Sequence, residues 1–180
     1  YLSAVILLDN NGKPVAQYYK DDMETVELDE YMESSSLLDV ADNATTSGAR
    51  IQQYDIANGG GNNQRWKLVP DGSGNFYIIV KSTQLYLATE NNSTADGVKV
   101  MQRAFTNSNE LKWTVSAIGG GYYKIINLNS GKALDVENVS TLNGTSNQDR
   151  RYTGGLNQQW QLVQVESTAN KVAAAKRLKA

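Results

Sequence analysis

The chemistry open to this 180-residue chain is bounded first by two absences, because it holds no cysteine and no histidine. Thiol nucleophiles, thiolate metal sites, Ser-His-Asp and Cys-His arrangements and the usual zinc chemistry are therefore excluded. Carboxylates remain, and paired acids can cleave glycosides, but no spacing singles out such a pair. What recurs instead is a polar phrase closed by tryptophan. Leu156-Asn157-Gln158-Gln159-Trp160 has a second copy in Asn62-Asn63-Gln64-Arg65-Trp66 and a more distant third in Asn109-Glu110-Leu111-Lys112-Trp113, and these are the chain's three tryptophans. A second marker keeps step: Leu38-Asp39-Val40, then Leu85-Tyr86-Leu87 with Tyr86 at the aspartate's place, then Leu134-Asp135-Val136.

These residues need a repeating frame. Trp66 to Trp113 is 47 residues and Trp113 to Trp160 is 47 again, while Asp39 to Tyr86 is 47 and Tyr86 to Asp135 is 49. Two phrases recurring at one period define a threefold repeat. Each repeat reads as short strands. In the third, Tyr123, Ile125, Leu134 and Val136 alternate around the turn formers Asn129-Ser130-Gly131. Gly48, Gly97 and Gly144 each open a further strand from a tight turn, and a short alternating segment follows each tryptophan. Short strands with Gly, Asn and Ser turns in threefold order predict an all-β barrel with pseudo-threefold symmetry, the indole rings filling its core.

The net charge of -2 and the lack of any long apolar run give no sign of a membrane-spanning helix or of a nucleic-acid-binding surface over the whole protein. The length suits one substantial domain with appendages.

The phrases Ser130-Gly131-Lys132-Ala133-Leu134-Asp135-Val136 and Gly155-Leu156-Asn157-Gln158-Gln159-Trp160 resemble those of the ricin-type β-trefoil lectins, also classed as carbohydrate-binding modules. The resemblance spans roughly residues 36–165, with the Q-x-W signature at Gln64–Trp66 and Gln158–Trp160 and Leu111 in place of glutamine in the second repeat. It implies a β-trefoil of three pseudo-symmetric repeats, each able to hold one shallow sugar pocket. In such a pocket an aspartate accepts hydrogen bonds from adjacent hydroxyls, an aromatic ring stacks on the sugar's apolar face, an asparagine adds polar contacts and a glutamine braces the aspartate. That suits a pyranose, which shows vicinal hydroxyls on an edge and C–H groups on a face.

Carried over, the first repeat offers Asp39 as acceptor, Gln52 on the strand, Tyr54 as platform, Asn63 as polar contact and Gln64 as brace. The third offers Asp135, Gln148, Asn157 and Gln158, with Arg150 at the aromatic position and Tyr152, two residues on, expected on the same strand face. Arginine can lie flat or donate to hydroxyls but gives no equal apolar platform. The second repeat, with Tyr86, Arg103, Glu110 and Leu111, reads as structural. The resemblance thus implies non-catalytic binding of galactose- or xylose-type glycans, no cofactor and no metal. Weak single pockets imply an oligomer or a tether to a larger protein, and a place outside the cell or on its surface. The rival readings are a protein-interaction scaffold on the same fold and the binding appendage of a larger glycosidase.

The trefoil is placed at residues 25–165, with repeats of about 25–70, 75–117 and 121–165. Residues 1–24 read as a hairpin extension, with a strand Leu2–Leu8, a turn at Asp9-Asn10-Asn11-Gly12 and a return strand Pro14–Tyr19. Residues 1–22 resemble the opening hairpin of longin-like vesicle-coat subunits, a fold that would add an α/β layer. The acidic stretch from Asp21 to Ser36 falls where the first repeat needs its opening strand, and alignment on Asp39 puts Asp29 where Ile125 stands. Either the hairpin supplies that strand or Val26–Leu28 does. Residues 166–180 carry Lys171, Lys176, Arg177 and Lys179 and read as a short basic helix or tail. Asn43, Asn91, Asn92, Asn138 and Asn143 begin glycosylation triplets, which matter only in a eukaryotic secretory pathway.

Overall fold

The computed structural model describes residues 2–8, 36–56 and 61–164, with backbone alone for 2–8, 163 and 164. Twelve strands join in one sheet among these residues, which include no α-helix. The first repeat holds β1 (Leu2–Leu8), β2 (Ser36–Val40), β3 (Ile51–Asp55) and β4 (Arg65–Pro70). The second holds β5 (Phe76–Val80), β6 (Tyr86–Thr89), β7 (Val98–Arg103) and β8 (Lys112–Gly119). The third holds β9 (Tyr122–Asn127), β10 (Ala133–Val136), β11 (Asn147–Arg150) and β12 (Gln161–Gln164).

First and fourth strands make the barrel. β1 pairs with β4 and β12, β4 with β5, β5 with β8 and β8 with β9, and a bridge from Tyr123 to Trp160 closes the ring. Closure gives each barrel strand a neighbour on both sides. Second and third strands make three hairpins, β2–β3, β6–β7 and β10–β11. These meet through β7 with β11 and through bridges from Arg50 to Met101 and Gln52 to Ser146. The all-β barrel expected from the repeat, and the trefoil implied by the resemblance, are the fold observed.

The tryptophans lie in the core, as expected, and each is also bonded. Trp66, Trp113 and Trp160 donate their indole N–H to the carbonyls of Leu38 (2.8 Å), Leu87 (2.9 Å) and Leu134 (2.9 Å). A buried indole must place its N–H on an acceptor, and here the acceptor is always the second strand of the same repeat. Val40, Ile51, Val80, Val100, Ile125 and Val136 pack around the rings. Burial of such side chains contributes about 1.5–3 kcal/mol each.

These bonds correct the phase of the second repeat. Leu38, Leu87 and Leu134 are equivalent, so Ala88 occupies the place of Asp39 and Asp135, and Tyr86 stands two residues earlier. The cause is a first repeat two residues longer between this marker and its tryptophan, 27 residues against 25 in the others. Tyr86 instead packs edge-on to Tyr77 at 5.6 Å and against Phe105 at 5.2 Å.

The boundary drawn at residue 24 is also corrected, because Leu2–Leu8 stands inside the barrel as its opening strand. It pairs with β2 as well, Leu7 with Leu37 and Leu8 with Ser36. Strands that a short turn joins in the other repeats are separated here by residues 9–35. That stretch, with the return strand Pro14–Tyr19 and Val26–Leu28, and the basic tail 166–180 lie outside the described residues. No α/β layer of the longin kind is present among the described residues.

The expected turns into the third strands are confirmed by φ of 92°, 80° and 80° at Gly48, Gly97 and Gly144, a region open to glycine. Two glutamines then tie neighbouring repeats together. Gln53 Nε2 donates to the carbonyls of Ser140 and Leu142, and Gln102 Nε2 to those of Ala44 and Thr46, all at 2.7–3.0 Å. The third equivalent is Asp149, a buried carboxylate with no amide to donate and neither oxygen in a well-formed hydrogen bond. Burial pushes its pKa up to about 6, against the lesser pull of the Ser130 hydroxyl and Lys132, with Asp96 adding to the rise.

Candidate functional site

The hairpin register builds the site. Asp39 faces Gln52 across β2–β3, and Asp135 faces Gln148 across β10–β11, so each carboxylate meets an amide directly opposite. Gln52 Nε2 donates to Asp39 Oδ1 at 2.9 Å and Gln148 Nε2 to Asp135 Oδ1 at 2.8 Å. The other oxygen is held from the turn before the tryptophan. Asn63 Nδ2 reaches Asp39 Oδ2 at 2.9 Å, and Asn157 Nδ2 reaches Asp135 Oδ2 at 2.8 Å. Each asparagine also donates to the next carbonyl along the strand, Val40 at 3.3 Å and Val136 at 3.0 Å. The asparagine expected to touch a sugar is thus also a brace.

The glutamines beside them differ. Gln158 Nε2 donates to Asp135 Oδ2 at 2.9 Å and to the Arg151 carbonyl, while its Oε1 accepts from Thr153 N at 2.8 Å. Gln64 Nε2 donates to the Asp55 carbonyl at 3.0 Å, and its side chain also helps stabilise the Asp39 carboxylate. Both aspartates are buried, and desolvation raises the pKa of each above the ordinary carboxylate value. The opposing amides of Gln52 and Gln64, or of Gln148 and Gln158, pull it back, and Arg50 and Arg150 add a favourable positive charge. A carboxylate has about four acceptor positions. Asp135 uses three of them on amides, which fixes the direction of the one left for a ligand.

Around Asp135 opens a cavity of about 400 Å³, lined also by Asn138, Val139, Gln148, Arg150, Thr153, Asn157 and Gln158. Tyr152 is not in this lining. β11 ends at Arg150, so strand alternation does not carry on to Tyr152, whose ring instead lies under Lys124 Nζ at 5.2 Å. Tyr54, two residues from Gln52 on β3, shares its strand face and is 43% exposed. The Arg50 guanidinium supports Gln52 from behind, Nη2 to Oε1 at 3.0 Å.

The second repeat holds no such cradle. Its equivalents are Ala88, Met101, Arg103, Glu110 and Leu111, with Met101 and Leu111 buried and Arg103 set against the Met101 sulfur. An apolar plug stands where the other repeats place a carboxylate and its amides.

Two further residues escaped the sequence reading. A Cβ on Gly61 would lie 2.5 Å from Asn63 Oδ1, and one on Gly155 would lie 2.7 Å from Asn157 Oδ1. Glycine is needed there so that the asparagine can fold back over the chain. The readable signal is Gly-x-Asn before the Q-x-W phrase, and the second repeat has Ser108 at that position. Thr153, Asn138 and Val139 were missed as well, since turn residues carry no periodicity.

A closed six-stranded barrel with three capping hairpins, two of them holding an amide-braced aspartate, defines a β-trefoil of the binding-module kind. The chain belongs to the ricin-type beta-trefoil lectin domain-like family, whose model matches residues 25–103 and 109–177. Among solved structures it is similar to the designed three-fold symmetric protein ThreeFoil, at 32% identity and a TM-score of 0.74, covering 91% of this chain and 99% of that one. It is also similar to 1,3Gal43A, an exo-beta-1,3-galactanase from Clostridium thermocellum, at 28% identity and 0.73, covering 91% of this chain and 30% of that one. The Macrolepiota procera ricin B-like lectin, solved in complex with lactose, shares the fold at 21% identity and 0.61, covering 72% of this chain and 88% of that one. A comparison with curated proteins gave no match.

Proposed function

We propose that the chain binds carbohydrate non-covalently through the hairpin cradles of its first and third repeats. The observation that carries this is the repeated brace: two aspartates 96 residues apart in sequence, each held by a cross-strand glutamine and a turn asparagine. Such a preset acceptor suits the vicinal hydroxyls of a sugar. Galactose- and xylose-type sugars are the ligands assigned, supported by the family and by the lactose seen in one structural relative. The chain acts as a non-catalytic binding domain, a reading supported by the family.

Single shallow sites bind at about millimolar strength, and linkage supplies the rest. This favours service as part of an oligomer or a larger protein, and the place assigned to it is outside the cell or on its surface. The galactanase relative, of which this chain covers 30%, supports a binding appendage in a glycosidase.

A glycan array followed by titration with lactose and xylose tests the reading. Asp39→Ala with Tyr54→Ala removes one site and Asp135→Ala the other, and the triple variant binds nothing. Undiminished binding by a folded triple variant overturns the assignment.

A further inference from the structure

Each repeat follows its second strand with a tight turn carrying two consecutive residues at positive φ: Asp42 and Asn43, Asn91 and Asn92, Asn138 and Val139. Asparagine and aspartate tolerate this region, whereas a β-branched side chain there is strained. Val139 sits at φ 53°, where Asn43 and Asn92 have 51° and 54°. Neither backbone geometry nor core packing accounts for it, because the side chain is 59% exposed. Strain kept at an exposed position points to a role for the side chain itself.

Its location supplies the role. Val139 lines the same cavity as Asp135, Gln148, Arg150 and Asn157. Arginine here replaces the ring at the position Tyr54 holds in the first repeat, so the cavity keeps its polar contacts while its expected apolar platform is missing. We infer that Val139 is the apolar, specificity-determining contact of the third-repeat pocket, pressing its isopropyl group on the C–H surface of a sugar held by Asp135. The inference rests on the carbohydrate-binding reading above. It gives the two pockets different selectivities: a flat ring in the first favours a whole pyranose face, and a small aliphatic knob in the third grips a C–H edge.

The test is Val139→Asn, which installs the residue of the other two repeats. It is made in the Asp39→Ala, Tyr54→Ala background so that the third repeat alone is read, and expressed in a host without N-glycosylation because Asn138 begins a sequon. Two changes of opposite sense are expected. The melting temperature rises by about 2–4 °C as the strain is relieved, while affinity for lactose or xylose falls about 3- to 10-fold with the loss of apolar contact. Val139→Ala, which keeps some apolar surface, falls in between. If Val139→Asn binds as tightly as its parent, the inference is overturned. If the parent background itself binds neither sugar while Asp135 is intact, the third-repeat site fails and the inference with it, and binding by the unaltered chain then reads the first site alone. An unchanged or lower melting temperature removes the strain argument and also overturns the inference.

Discussion

The first and third repeats hold their aspartates with the same two amides at nearly the same distances, yet surround them differently. In the first, Tyr54 offers a ring, and Gln64 bonds the backbone of Asp55 while supporting Asp39; in the third, Arg150 replaces the ring, and Gln158 bonds the backbone of Arg151 while supporting Asp135. The difference shows that the polar brace and the apolar face are separable parts. The brace comes with the hairpin register and the turn before the tryptophan, whereas the apolar face depends on one side chain at the strand's end or in the next turn. The second repeat shows the limiting case, with both parts gone and the fold unchanged.

The comparison can be broken most severely at the shared acceptor. Asp135→Ala removes the ligand's charged partner and leaves three donors without their acceptor. Charge-assisted bonds contribute about 1.5–3 kcal/mol each, so third-repeat affinity should fall by about 100-fold, and denaturant titration should show a loss of about 1–3 kcal/mol. An equal loss of affinity from Asp39→Ala at the first site would show the two acceptors to be equivalent.

A second contrast lies on the inner side of the hairpins, where Gln53 and Gln102 donate to a neighbouring repeat and Asp149 does not. Asp149→Gln supplies an amide facing the equivalent carbonyls of Ser93 and Ala95, and should stabilise by about 1–3 kcal/mol at pH 7. The pH dependence has a definite sign. With a folded pKa of about 6 above an unfolded value of about 3.8, the native state holds the extra proton, so Asp149 makes stability fall as pH rises from about 4 to 6. Thermal melts across that window should slope less in Asp149→Gln. An unaltered slope would show that Asp149 is not the group responsible.

Gly155→Ala sharpens the comparison further. The new Cβ displaces Asn157 without disturbing the core, and should weaken the third-repeat site about 3- to 10-fold with little change in melting temperature. Gly61→Ala should do the same in the first repeat. The smallest change runs the other way, since Arg150→Tyr installs the first repeat's ring in the third. Calorimetry should record a gain of about 2- to 10-fold, the increment an aromatic contact brings. A loss would mean that Arg150 itself donates to the ligand.

Much of this frame is legible in the chain. Three tryptophans at a fixed period reveal a threefold barrel, and the phrases about Asp39 and Asp135 lead to residues that do converge. Four features escape for physical reasons. Ala88 was displaced by Tyr86 because two extra residues in the first repeat shift the apparent phase. Leu2–Leu8 reads as an appendage because its partners β4 and β12 lie far along the chain, and a pairing set by barrel closure leaves no local mark. Gly61 and Gly155 look like ordinary turn residues because what they require is space for an asparagine, not a positive φ. Val139 shows only as one apolar residue where the other repeats have asparagine.

The three indole bonds carry a consequence for how such a molecule can change over time. Each ends on a main-chain oxygen, an atom that every amino acid supplies, so the ring that anchors a hairpin is indifferent to the side chains its strand displays. Leu38, Leu87 and Leu134 accept alike, though they precede Asp39, Ala88 and Asp135. A lineage could therefore lose a pocket, rebuild it or retune it in one repeat while the other two carry on, with the architecture serving as a chassis for experiment.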